Sequence, residues 1–406
     1  MTADLVLLTV TLLLAWSYIF YPALAFTVAS ILEKQKTIND KRKTINDKPP
    51  DPLPSVSVIM SIHNEETVIA EKMQSLADTD YPAELIEFLV GSDASTDATD
   101  SIMIDLAAKD NRIRYYGFST RRGKPAVLNS LAREAKGTYL IITDANVMFS
   151  RETVRMLISG FSDTTGLCDA TVSPSSDSVT GITRQENLYS RFETSLKRAE
   201  GMAWGAMTGP YGGCYAVRRE LFPVIPENTL VDDLYAGLTV IRKGYGSVNI
   251  AGARVTEDTE PDIAGQYRRR VRIAAGSFQN LFRFGPFPSR KIKVSFAFFS
   301  HKVIRWFTPL LLAIFFMTTV ILSGGSVFYF CLLSVQLIFI ILSALDLVLN
   351  SHGRKLKILR YVTQFLLMNA ALTAGFVKAV RGIKNGIWEP TKRIKDDGKH
   401  NAEYYQ

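Results

Sequence analysis

Apolar positions crowd the two ends of this chain and alternate with polar ones through its middle. From Leu5 to Leu32 no charged residue interrupts the run. A helix of that length reaches ~42 Å at about 1.5 Å per residue, more than the ~30 Å hydrocarbon core of a bilayer. Pro22 is its natural kink. The run carries Asp4 where a secretion signal has basic residues, and it is too long for one, so it reads as a membrane anchor. A second uncharged block runs from Phe307 to Leu345, and Gly324-Gly325-Ser326 divides it into two near-spanning helices. Tyr361 to Val377 is a third candidate, interrupted by Gln364 and Asn369.

Between these ends, from Leu53 to about Ile263, short apolar runs trade with helical spacing. Ser55 to Ser61, Ile86 to Val90, Ile113 to Phe118 and Thr138 to Thr143 read as strands. Val68, Ile69, Met73 and Leu76 lie on one helical face, and Leu128, Leu131 and Ala135 on another. Ser95-Thr96-Asp97 is a cap for a helix running through about Ala108. This alternation predicts an α/β fold, a mostly parallel sheet with helices on both faces. Such sheets bind ligands beyond the carboxyl ends of their strands, where His63, Asn64, Glu65, Asp93 and Asp144 fall.

Charge and cysteine content narrow the setting. The 406 residues carry a net charge of +8, and many of the positive ones flank the apolar segments. That placement favours lipid headgroups as a partner. No basic–aromatic recognition module is present, so nucleic acid is not expected. By the positive-inside rule the cluster Lys34, Lys36, Lys41, Arg42, Lys43 and Lys48 puts the end of the anchor, and the domain after it, in the cytosol. Cys168, Cys214 and Cys331 form neither a metal spacing nor a disulfide framework, which suits a reducing compartment. Two later spans would return the chain to the cytosol at His352 to Lys357, where its charge fits. The basic tail also favours the inside, so the last apolar segment is expected to lie along or re-enter the membrane.

Acidic residues stop three core elements. Asp93 follows the second strand, Asp144-Ala145-Asn146 follows the fourth, and Asp232-Asp233 precedes a helical stretch. These belong to an ordered series. It comprises Val58 to Glu66, Gly91-Ser92-Asp93-Ala94-Ser95-Thr96-Asp97, Arg122-Gly123-Lys124, Asp144-Ala145-Asn146, Gly212-Gly213, Val231-Asp232-Asp233 and Arg268-Arg269-Arg270-Val271-Arg272. In that order they resemble the family-2 glycosyltransferases, within them the membrane-embedded synthases related to cellulose, hyaluronan and poly-N-acetylglucosamine synthases. The resemblance covers roughly Leu53 to Phe282.

It implies a GT-A fold and a role for each motif. His63, Asn64, Glu65 and Asp93 resemble the nucleobase and ribose contacts, with His63 where many relatives carry an aromatic ring. Asn64 also suits a helix cap and Asp93 a plain strand end. Lys124 suits a diphosphate or uridine contact beside Gly123. Asp144 and Asn146 resemble an Asp-x-Asp metal motif that has lost one charge, so Mg²⁺ or Mn²⁺ would rely on substrate phosphates as well. Gly212 and Gly213 resemble the strand beneath the donor sugar. Asp233 matches the base that takes the acceptor proton, with Asp232 tuning it. Arg269 and Arg272 stand on the Gln and Arg of a Gln-x-x-Arg-Trp motif, and Ile273 replaces its Trp.

The expectation is an inverting, metal-dependent membrane enzyme that moves a sugar from a UDP-sugar onto a growing polysaccharide. A non-processive enzyme acting on a lipid or short glycan, such as a glycolipid, is the first alternative. A catalytically silent nucleotide-binding subunit is the second. The organisation expected is an anchor at 1–33, a basic linker at 34–52, the GT-A domain at 53–285 and an amphipathic interfacial segment at 286–305. Transmembrane helices follow at 306–380 and a basic tail at 381–406, in the plasma (inner) membrane with the catalytic domain cytosolic.

Overall fold

The structure, a computed structural model, describes residues 2–40, 52–174, 182–257, 263–351 and 357–386. The chain enters through helices α1 (Thr2–Ala15) and α2 (Tyr21–Asp40). Pro22 does not break them. The preceding turn, Trp16–Phe20, widens to a π-helix, which accommodates a residue that has no N–H to donate. The helix continues to Asp40, well into the segment expected as linker; residues 41–51 lie outside the described ones.

The four expected strands follow as β1 (Val56–Ile62), β2 (Ile86–Asp93), β3 (Ile113–Phe118) and β4 (Tyr139–Thr143). Helices α3 (Ile69–Ala77), α4 (Thr99–Lys109) and α5 (Lys124–Glu134) connect them. All pairings among these strands are parallel. Apolar residues stand at successive positions in these runs because both faces are covered: Val58, Met60 and Ile141 pack into one core, Ile59, Leu140 and Ile142 into the other. Asp97 caps α4 as expected, accepting the Thr99 N–H at 3.0 Å.

The second half of the sheet was not legible strand by strand. It contains β5 (Val147–Phe149), β6 (Thr165–Pro174), β7 (Cys214–Arg218) and β8 (Gly246–Glu257), with α6 (Thr153–Ser159), α7 (Ile182–Trp204) and α8 (Asp232–Arg242) between them. The order across the sheet is β3-β2-β1-β4-β7-β6-β8-β5. β7 runs antiparallel to both β4 and β6, so the direction of the sheet turns at the edge of β4 that carries Asp144.

Helix α9 (Ile263–Phe284) leaves the sheet and leads to α10 (Ile292–Phe298), a π-helical turn at Phe299–Val303, α11 (Ile304–Trp306) and α12 (Thr308–Leu322). The segment expected to be interfacial presents Phe287 and Ile292, both largely exposed. The helices Ile292–Trp306 and Thr308–Leu322 meet at a bend of 60°. α13 (Val327–Ser351) and α14 (Lys357–Val380) complete the chain, with the expected break at Gly324-Gly325-Ser326. Among the described residues three helices, Thr2–Gln35, Val327–Asn350 and Leu359–Val380, are long and apolar enough to cross a membrane, and the bent pair makes a fourth if it counts as one span. The weakest candidate in the sequence therefore qualifies. Its carboxyl end nevertheless lies against the catalytic domain: Phe376 packs on Phe278 of α9, and Asn228 Nδ2 donates to the Ile383 carbonyl at 3.0 Å.

One buried carboxylate joins this apolar assembly to the sheet. Glu200 of α7 accepts from Tyr21 Oη at 2.7 Å, from the Thr208 N–H at 3.1 Å and from Thr208 Oγ1 at 2.8 Å. His301 Nδ1 lies 2.7 Å from the same carboxylate. Both Glu200 and His301 are fully buried. Removing one member of such a group strands the others. Glu200→Ala should therefore cost about 3–5 kcal/mol, seen as a lower thermal midpoint of the detergent-solubilised chain. An unchanged midpoint would show that the junction does not depend on this group.

Candidate active site

The carboxyl ends of β1, β2 and β4 open on one edge of the sheet, and the predicted residues gather there. Asp93, at the end of β2, is buried and accepts backbone N–H groups from Arg122 at 2.6 Å and Gly123 at 2.9 Å. Arg121 Nε lies 3.4 Å from its other side. Gly123 takes φ 86°, a left-handed conformation that lets the chain turn over the carboxylate and start α5 at Lys124. His63 is fixed on both nitrogens, with Nδ1 2.9 Å from the Asp93 carbonyl and Nε2 2.6 Å from Arg121 Nη1. Burial and then the Arg121 charge hold its pKa below the usual histidine value, so the ring is neutral and accepts at Nε2.

Asn64 is engaged with the turn after β2. Its side chain accepts the Thr96 N–H at 2.8 Å and its own N–H donates to Ser95 Oγ at 3.1 Å. It holds the turn after β2 in place. Asn64 and Ala94 both carry positive φ, 55° and 56°, and they face each other across this cleft. Strained backbone of this kind persists where the surroundings fix it. The Glu65 N–H donates to Thr99 Oγ1 at 2.8 Å, which fixes the backbone at that position.

Lys124 stands at the centre of the other half. Its Nζ lies 2.7 Å from Asp144 Oδ1 and 3.7 Å from Asp232 Oδ2. Burial works against its charge, but the Asp144 and Asp232 carboxylates outweigh that and hold its pKa above the ordinary lysine value. Asp233 begins α8 beside Asp232. Its carboxylate lies over Gly212, where a Cβ would come within 2.9 Å of Oδ2. The room expected above the glycine pair is thus the room Asp233 occupies. Gly213 likewise leaves space for the Tyr211 ring. Burial, then the neighbouring Asp232 charge, raises the Asp233 pKa from 3.8 to about 7. Arg272 reaches the same cluster from α9; burial, then Arg269, lowers its pKa, while the charges of Asp144, Asp232 and Asp233 act the other way.

Glu257 went unrecognised in the sequence. It ends β8 and gathers three groups: Tyr211 Oη donates to it, Asn146 Nδ2 lies 3.4 Å from Oε1, and Arg269 Nη2 lies 3.4 Å from Oε1. The signal was available, since an acid closing a strand is what marked Asp93 and Asp144. Ile273, by contrast, is 41% exposed on α9 and presents no flat face.

Asp144, Asn146 and Glu257 place oxygen donors at one end of β4, which is the chemistry a hard divalent cation takes. Among the described residues no group of three His, Cys, Asp or Glu side chains is arranged to hold a metal alone. The residues fit a cation that also draws oxygens from a bound diphosphate.

Comparison with known proteins agrees with this geometry. Residues 57–225 match the family model for glycosyl transferase family 2. The chain is 25% identical over 241 residues to the probable glycosyltransferase YdaM of Bacillus subtilis, covering 57% of each protein. It is 23% identical over 233 residues to a beta-monoglucosyldiacylglycerol synthase of Synechocystis sp., covering 56% of this chain and 49% of that one. The matches thus span about half the length of these relatives. Among solved structures, the mannosyltransferase PcManGT from Pyrobaculum calidifontis, in complex with GDP-Man and Mn²⁺, superposes with a TM-score of 0.65 at 24% identity. That likeness covers 93% of this chain and 99% of the other, and it shows the fold to be GT-A-like α/β. Residues 57–225 are therefore similar to the catalytic domains of the glycosyl transferase family 2 proteins.

The raised Asp233 pKa has a consequence for stability. A carboxyl raised from 3.8 to about 7 contributes stability below its unfolded value, and that contribution is lost as pH rises through about 7. Asp233→Asn removes the ionisation. It should stabilise the protein at pH 8, and the gain should shrink toward pH 5. Melting curves of both proteins at the two pH values check this; no difference at pH 8 would contradict it.

Proposed function

We propose that the chain is an inverting glycosyltransferase that moves a sugar from a nucleoside-diphosphate sugar to a hydroxyl presented at a membrane. The observation that carries this is the Asp233 carboxylate, half-buried over Gly212 and beside the Lys124–Asp144–Asp232 cluster, where the neighbouring Asp232 charge helps push its pKa up to about 7. A base works best when its pKa lies near the working pH. The acceptor oxygen attacks the anomeric carbon and gives its proton to Asp233. The bond to the diphosphate breaks on the opposite face, and the nucleoside diphosphate leaves.

The residues around that base divide the remaining work. Lys124 and Arg272 offset negative charge on the leaving diphosphate. Asp93, through the Arg121–Gly123 turn, and His63 shape the nucleoside end, with Glu65 beside them. Asp144 and Asn146, with Glu257 behind, would hold Mg²⁺ or Mn²⁺, and a bound divalent ion supplies charge neutralisation at the diphosphate. The PcManGT complex, which contains Mn²⁺ and GDP-Man, supports a divalent ion and leaves the base of the donor open between uridine and guanosine.

One observation bears on the acceptor. An apolar cleft of about 490 Å³ lies between α1, α9 and α12, lined by Leu13, Leu281, Phe282, Phe307 and Leu311 among others. A cleft of that lining suits a hydrocarbon chain better than a polysaccharide, and the match to a glycolipid synthase points the same way. Together with the missing aromatic at Ile273, this favours a lipid-linked acceptor over the growing polymer expected from the sequence. The bilayer is then both the site of the enzyme and the source of its acceptor.

Two outcomes test the reading. Membranes containing the protein, given labelled UDP- and GDP-sugars, should form an organic-extractable product. An exclusively water-soluble polymer would favour the polysaccharide reading, and no transfer from any donor would favour a silent subunit. Asp233→Asn should lower kcat by about 10²–10⁴ while nucleotide binding by calorimetry is retained. In the wild type, kcat/KM should fall with acidity below about pH 7, where Asp233 becomes protonated. Near-normal turnover by the variant would remove Asp233 from the role of base.

A further inference from the structure

Lys72 of α3 is completely buried, beneath the end of the sheet that carries Asp144. Its ammonium donates to Thr143 Oγ1 at 2.9 Å and to the Val147 carbonyl, and it sits 4.0 Å from the centroid of the Phe149 ring. The two oxygens it joins are informative. Thr143 ends β4 and Val147 opens β5, so the residues between them are the Asp144-Ala145-Asn146 turn. Thr143 Oγ1 in turn donates to the Gly213 carbonyl at 3.0 Å, and the Asp144 N–H donates to that same carbonyl at 3.2 Å. The link therefore continues into the glycine pair under Asp233.

Burying an ammonium is costly unless its donors are used. Here they are used on both ends of one short turn, which a methionine of similar length would fill without joining. We infer that Lys72 is a positioning residue for the Asp144–Asn146 turn, fixing the separation of the two side chains that receive a divalent cation and the donor diphosphate. It acts through Thr143 and Val147 and touches neither substrate nor ion. This inference rests on the proposed role of Asp144 and Asn146.

The test uses the full chain in detergent, with Mn²⁺ as probe in the presence of UDP and, separately, GDP. Free Mn²⁺ is followed by electron paramagnetic resonance, which reads binding and not turnover. Lys72→Met should weaken Mn²⁺ binding at least tenfold in the presence of the better nucleotide. Thr143→Val, which removes one of the two oxygens with little change of shape, should weaken it in the same direction. The double variant should add less than the sum of the two, as expected for groups acting through one contact. Wild-type Mn²⁺ affinity in Lys72→Met overturns the inference while leaving the metal reading intact. If Lys72→Met does not fold, wild-type affinity in Thr143→Val overturns it equally. Absence of nucleotide-dependent Mn²⁺ binding in the wild type overturns the metal reading itself, and this inference with it.

Discussion

The Lys124 ammonium, 2.7 Å from Asp144 and 3.7 Å from Asp232, is the contact on which the arrangement of the site depends. Three carboxylates, Asp144, Asp232 and Asp233, converge around Lys124, with Asp232 buried and the other two half-buried. At low effective dielectric their mutual repulsion is large. One buried cation at their centre makes the convergence tolerable, and Arg272 adds a second positive charge from α9. Burial and then the charge of the adjacent Asp232 raise the Asp233 pKa, against the opposing pull of Lys124. The same lysine opens α5. The turn before it gives its N–H groups to Asp93, so the nucleoside and reaction ends of the cleft are built on one segment.

A second buried group extends that order toward the apolar helices. Glu200 binds Thr208, at the start of the segment that carries Gly212 and Gly213, and also Tyr21 of the first long helix and His301 of the π-helical turn. Glu193, about two turns earlier on the same face of α7, pairs with His301 and with Arg305 at 3.2 Å. The loop under Asp233 is therefore fastened to the apolar helices at both ends of the sheet domain.

Much of this was legible from residue order. The four parallel strands appeared as apolar runs because both of their faces are buried, and the acids that stop them mark the cleft. The antiparallel half was harder. β6 and β8 are long, irregular and register-shifted between Thr165 and Leu167 and between Asp169 and Thr171, so no simple alternation survives in them. Glu257 was hidden for that reason, although it binds both Asn146 and Arg269. Sequence could not show that the Asn64 amide is also used by Thr96. Lys72 could not be anticipated, since a lysine on an amphipathic helix is ordinarily solvated. The long apolar helices were legible from length and charge alone, but how the last of them ends against α9 depends on tertiary packing that leaves no local signature.

The central claim is that a single carboxylate, Asp233, drives a direct displacement at the anomeric carbon. The stereochemistry of the product tests this with no mutation at all. Proton NMR of the first linkage formed from an α-linked nucleotide-sugar should show the β-anomer, because one in-line attack inverts the centre. A product of α configuration would contradict the account, since retention needs a different arrangement of the reacting groups from a lone base over Gly212.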